Sequence, residues 1–203
     1  MLEEQIAGRG IRDPRVLRAM AQIPRHLFVP RELADLAYED GPLPIGFLQT
    51  ISQPYIVAKM TELLALDPDA VVLEVGTGSG YQTAVLASIA RHVYSVELIP
   101  ELAERAQDVL RTLGIENVTV TVGDGALGDP AHAPYDGVIV TAAPRQVPPA
   151  LFEQLAVGGR MVIPVGADVQ VLMLYEKAPD GAVAGVPIFD VRFVPMRGAA
   201  DAQ

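Results

Sequence analysis

The sequence predicts an α/β protein with a mostly parallel, seven-stranded sheet, helices on both faces and an antiparallel strand pair at the C-terminal end. Three observations predict it. From Ala70 onward, short apolar runs alternate with amphipathic stretches of helical period. A glycine-rich turn, Gly76-Thr77-Gly78-Ser79-Gly80, joins the first of those runs to the helix after it. The last two apolar runs have only the turn Pro179-Asp180-Gly181 between them, too short for a helix, so they pair antiparallel.

Each element has its own local pattern. Asp13-Pro14 starts a helix, with Asp13 as cap, Pro14 at the first helical position, and Val16, Leu17 and Met20 on one face. Pro24, Pro30, Pro42 and Pro44 interrupt the next stretch, so 24–46 reads as short helices and loops. Ser52 is expected to cap a stronger helix over 53–64, where Ile56, Val57, Met60, Leu63 and Leu64 keep the helical period. Strands are expected at 71–75, 93–97, 118–122, 137–141 and 160–165. Helices at 81–90, 101–113 and 151–155 lie between them, the second ended by Gly114. The closing strands are 169–176 and 186–194. We expect one domain over 1–203, with a helical N-terminal extension at 1–65 and the sheet in 66–203.

Composition removes several function classes. The chain has 203 residues and is half hydrophobic, enough for a real core. It contains no cysteine, which excludes disulfides, thiolate metal sites and cysteine nucleophiles. His26, His92 and His132 are far apart and none has metal-ligand spacing, so no metal is expected. A net charge of -10 repels a phosphate backbone. Arg9, Arg12, Arg15, Arg18, Arg25 and Arg31 are mixed with acids at helical spacings and read as a solvated face. No apolar run approaches the roughly 18 residues of a membrane span, and the start, Met1-Leu2-Glu3-Glu4, is unlike a secretory signal. The expectation is a cytoplasmic monomer without nucleic-acid or membrane partners.

The glycine turn carries the chemistry. Its pattern is Gly-x-Gly-x-Gly, whereas the dinucleotide fingerprint is Gly-x-Gly-x-x-Gly. A loop with its last glycine one residue early suits S-adenosylmethionine, which has no diphosphate, and can wrap the amino-acid end of that cofactor. Glu97 ends the second strand, where an acid accepts hydrogen bonds from ribose hydroxyls. Asp124 ends the third strand, followed by Gly125, where the adenine amine needs an acceptor. All three features fall at the C-terminal ends of consecutive strands, where open α/β sheets bind ligands. This is the pattern of a Rossmann-like, class I methyltransferase.

Gly46-Phe47-Leu48-Gln49-Thr50-Ile51-Ser52-Gln53-Pro54 is similar to the signature segment of the protein-L-isoaspartate O-methyltransferases. Ile23-Pro24-Arg25, Phe28-Val29-Pro30, Pro42-Leu43-Pro44-Ile45, Gly123-Asp124-Gly125, Gly158-Gly159-Arg160 and Val191-Arg192-Phe193-Val194-Pro195 resemble that family too. The resemblance implies a repair enzyme that methylates the free α-carboxylate of L-isoaspartyl residues in damaged proteins, with S-adenosyl-L-homocysteine as product. It implies cofactor contacts from Thr50, Ile51, Ser52, Gln53, Glu74, Gly76, Thr77, Gly78, Ser79, Gly80, Glu97, Leu98, Asp124 and Gly125. It implies substrate contacts from Ile45, Thr50, Ser52 and Val194, with Ser52 orienting the acceptor carboxylate and 191–195 pairing with the bound peptide. Some relatives have a histidine after the signature; here Tyr55-Ile56-Val57 stands in its place. The alternatives are a small-molecule or RNA methyltransferase on the same fold, RNA being disfavoured by acidity, or a non-catalytic protein that binds S-adenosylmethionine.

Overall fold

The computed structural model describes residues 1–202. The N-terminal region opens with short irregular turns and then α1 (Pro14–Gln22), which starts as expected: Asp13 accepts a hydrogen bond from the Arg15 amide at 2.8 Å, and Pro14 comes next. Asp13→Ala should therefore lower the denaturant midpoint by the equivalent of about 1 kcal/mol. An unchanged midpoint would remove the cap from the account.

The stretch expected to be loops contains a hairpin, β1 (Leu43–Gly46) and β2 (Gln49–Ile51). Pro44 hides it in the sequence, yet a proline is tolerated in a two-stranded ribbon because its missing N–H can face outward. The tip holds Gly46, Phe47 and Leu48 at φ of 93°, 53° and 59°. Successive positive φ values make the tight reversal that matches strand twist, and the reversal pairs Thr50 and Ile51 with Pro44 and Leu43. Helix α2 is Pro54–Leu64, so its cap is Gln53, one residue later than expected, and Gln53 makes no side-chain capping bond. Pro54 at the first position needs no N–H partner and starts the helix by itself.

The alternating region keeps the expected order: β3 (Val71–Val75), α3 (Tyr81–Ala87), β4 (His92–Glu97), α4 (Pro100–Thr112), β5 (Val118–Val122), β6 (Tyr135–Val140), α5 (Pro149–Gln154), β7 (Leu155–Gly166), β8 (Gln170–Lys177) and β9 (Val183–Val191). The seven-stranded sheet has the order β5-β4-β3-β6-β7-β8-β9. Its first five strands are parallel; β8 runs antiparallel to both β7 and β9. Strand β7 begins five residues before the expected 160 because Gly158-Gly159 lies in an irregularity of the β6 pairing rather than in a turn.

Helices on both sheet faces explain why the strands read as apolar runs. Val72 and Leu73 point to opposite faces and both are fully buried, the first among α1, α2 and α3, the second with Leu151 of α5 and Met196. Arg25 departs from the expected solvated arginine face. It is fully buried, donates from Nε to the Ala37 carbonyl at 2.7 Å, and lies 4.9 Å from the centre of the Tyr81 ring. Burial without a carboxylate lowers its pKa to about 10. Among the described residues no helix is long and apolar enough to cross a membrane.

Candidate active site

The C-terminal ends of β3, β4 and β6 open into a cleft. The glycine turn forms its floor. Gly76 sits at φ 93°, and a Cβ there would lie 2.4 Å from Thr141 Oγ1. Gly80 sits at φ 85° with Ala106 of α4 only 3.1 Å from where a Cβ would stand. These glycines permit both a left-handed backbone and close approach of α4 and β6 to the loop. Thr141 holds the loop from the far side by donating to the Gly76 carbonyl at 2.6 Å.

Glu97 forms the adjoining wall. One carboxylate oxygen accepts from the Gly78 amide at 2.8 Å and the other from the Ile99 amide at 2.9 Å. A carboxylate has about four lone-pair sites, so two remain for paired hydroxyls of a ligand, and Glu97 lines the cleft. The hairpin supplies Gln49, Thr50 and Ile51 to the same cleft. A wider second groove lies beside it, walled by Tyr55 and Ile56 of α2 and by 189–194. Thr50, Ser52, Thr141 and Val194 line both spaces, and they mark where the two meet.

Among the described residues Ser52 Oγ makes no hydrogen bond, since the cap position falls to Gln53. The expected last strand ends at Val191 rather than 194. The chain then crosses the sheet ends: Phe193 is bonded through both N–H and C=O to the Gln170 side chain, and the Val194 carbonyl accepts from the Ala143 amide. The Val194 amide has no partner among the described residues. This crossing also brings Pro195, Met196 and Arg197 to the cleft.

Of the residues singled out from sequence, Thr50, Ile51, Ser52, Gly76, Thr77, Gly78, Ser79, Glu97, Leu98, Gly125 and Val194 line the cleft. Five others lie elsewhere. Ile45 packs beneath the loop, 3.5 Å from where a Cβ on Gly78 would stand. Gln53 lines the second groove and donates to Asp40 at 2.7 Å. Gly80 is the cap residue of α3. Glu74 is buried behind the loop. Asp124 accepts from the Ala126 amide at 2.9 Å and from the Ala199 amide at 2.7 Å, which ties the C-terminal segment to a half-exposed carboxylate. Sequence reasoning misses Thr141, although it stands at the C-terminal end of a strand, the place that signals Glu97 and Asp124. It misses Gln82, buried and bonded to Thr61 at 2.9 Å, because an amide inside a helix carries no motif.

The residues present fit S-adenosylmethionine. A glycine loop permits close backbone approach, and a carboxylate with free lone pairs stands beside it in a largely apolar cleft. Fold and cleft together define a class I, S-adenosylmethionine-dependent methyltransferase. The family model for protein-L-isoaspartate(D-aspartate) O-methyltransferase matches residues 1–201. The chain belongs to that family. It is 56% identical to a protein-L-isoaspartate O-methyltransferase of Synechococcus sp. over 97% of this chain and 83% of the relative. It is also 56% identical to one of Anaeromyxobacter sp., over 98% and 95% of the two chains. A solved protein-L-isoaspartate O-methyltransferase superposes with a TM-score of 0.87 at 32% identity, covering 98% of this chain and 66% of that one. A Plasmodium falciparum beta-aspartate methyltransferase, solved with S-adenosyl-L-homocysteine, superposes with a TM-score of 0.82 at 25% identity, covering 97% and 96%.

Proposed function

We propose that this enzyme transfers a methyl group from S-adenosylmethionine to the free α-carboxylate of L-isoaspartyl residues at the junction of the two spaces, with Ser52 orienting that carboxylate. The carrying observation is the junction itself: Thr50, Ser52, Thr141 and Val194 include no ionisable side chain. A carboxylate acceptor is already ionised at pH 7 and needs no base, whereas a protonated amine would need one. The cofactor, when bound, supplies a sulfonium that activates its methyl group. The protein's task is then placement and exclusion of water. The Ser52 hydroxyl donates to one acceptor oxygen, and the unpaired amides at the start of α2 add positive potential beside it. The Val194 amide pairs with the extended substrate backbone.

This reading extends to the whole chain as one domain, because hairpin residues 49–51 complete a cleft otherwise built by the sheet. Its net charge of -10 supports a monomer without nucleic-acid partners. The test is labelled methyl transfer to an L-isoaspartyl peptide and to its aspartyl twin. We expect base-labile label on the first alone. Equal labelling of both, or of neither, overturns the substrate assignment.

A further inference from the structure

Glu74 is the buried acid that this mechanism does not use. It is fully buried on β3. Its Oε2 lies 2.5 Å from Thr83 Oγ1 and 2.6 Å from Ser95 Oγ, and Ser95 Oγ lies 2.6 Å from Thr77 Oγ1. Thr77 lines the cofactor cleft. The other carboxyl oxygen, Oε1, is buried with no hydrogen-bond partner among the described residues. From β6 the register partner is apolar Ile139, from α3 Thr83 approaches, and from β4 come Ser95 and the carboxylate of Glu97. The neighbouring charge is therefore negative and no cation opposes it.

An anion there would leave one charged oxygen buried without a donor, which is costly. A neutral acid leaves only an unpaired carbonyl. We propose that Glu74 works as an uncharged carboxylic acid and is a positioning residue of the cofactor site, orienting the Thr77 hydroxyl through Ser95. The direction of the chain is set by the proton. With the proton on Oε2, Glu74 donates to Ser95, Ser95 donates to Thr77, and the Thr77 hydrogen is left to donate into the cleft. Without it, Thr83 and Ser95 both donate to the carboxylate. Thr77 then donates to Ser95, and the cleft meets only lone pairs. Hydrogen bonds in such a chain polarise one another, so the state at one end is felt at the other. Burial, the largest effect, and the Glu97 charge push the carboxyl up to about 8, against the two hydroxyl bonds.

The inference rests on the cleft being the S-adenosylmethionine site. The test is calorimetric binding of S-adenosyl-L-homocysteine from about pH 6.5 to about pH 9.5, with wild type, Glu74→Gln and Ser95→Ala, plus melting of the unliganded proteins. Wild-type affinity should hold near neutrality and fall about tenfold by the alkaline end. Glu74→Gln, whose amide always donates to Ser95, should bind within about threefold of wild type at pH 7 and show no fall. Ser95→Ala, with the chain cut, should bind more weakly and equally without a fall. In the melting data, an acid whose folded pKa is raised favours folding at low pH and loses that contribution as pH rises. The melting temperature of Glu74→Gln relative to wild type should therefore climb between the ordinary value of 4.5 and about 8, then level. Folded Glu74→Gln that binds more than about tenfold worse at pH 7 would overturn the proposal by showing that charge is required. Wild-type affinity that ignores pH would overturn it as well, whether or not the variant folds. Absence of binding at every pH would instead remove the cofactor reading, and this inference with it.

Discussion

Glu97→Ala should weaken binding of S-adenosylmethionine by about 10- to 150-fold, the range that loss of a hydrogen bond to a charged group of about 1.5–3 kcal/mol allows. Two effects act together. The ribose hydroxyls lose a charged acceptor, and the Gly78 and Ile99 amides lose the oxygens that hold them at 2.8 and 2.9 Å. The second effect loosens the loop before any ligand arrives, so the unliganded variant should also melt earlier. Glu97→Gln carries both effects as well. It keeps the shape but turns one oxygen into a donor facing an amide that is itself a donor. It should therefore lose affinity nearly as much as the alanine variant. Calorimetry showing wild-type affinity in a folded Glu97→Ala protein would take Glu97 out of the site.

Ser52→Ala should lower kcat/KM for an isoaspartyl peptide by about 10- to 100-fold, the value of one hydrogen bond to a carboxylate. Cofactor affinity and the denaturant midpoint should stay close to wild type. Stability gives the discrimination. A serine that capped α2 would cost about 1 kcal/mol on removal and leave turnover nearly intact. The structure puts Gln53 at the cap, so removing the Ser52 hydroxyl breaks no bond within the described residues. Its side chain is half-buried at the junction of the two spaces. Single-turnover rates that stay normal while the midpoint drops would return Ser52 to a purely structural role.

Both predictions concern residues that the sequence points to, and the reason is local. Glu97 closes the strand β4, and strand ends beside a glycine turn are read from consecutive residues. The glycine turn is equally legible because its backbone demands are local: Gly76 and Gly80 sit at positive φ, which other residues resist. The order of strands and helices comes from periodicity alone, including the antiparallel end, since no helix fits between β8 and β9. The β1–β2 hairpin is not legible. Pro44 and Gly46 are breakers by composition, and nothing in the sequence says that a two-stranded ribbon tolerates both.

The sequence by itself determined a doubly wound sheet, the glycine loop, the acid at the end of β4 and the family signature around Ser52. Each of these is encoded within a few neighbouring residues. The tertiary structure alone decided how the singled-out acids are held. Glu74 and Asp124 both sit near strand ends, yet one is fully buried behind the loop on Thr83 and Ser95, and the other stays half-exposed and accepts from the Ala199 amide. It also decided that Thr141 and Val194 stand together with Thr50 and Ser52 at the junction. These groups come from the hairpin, the end of β6 and the segment after β9. Only packing of the sheet and the return of the chain across its C-terminal edge bring them together, and no local pattern records a contact between residues so far apart in sequence.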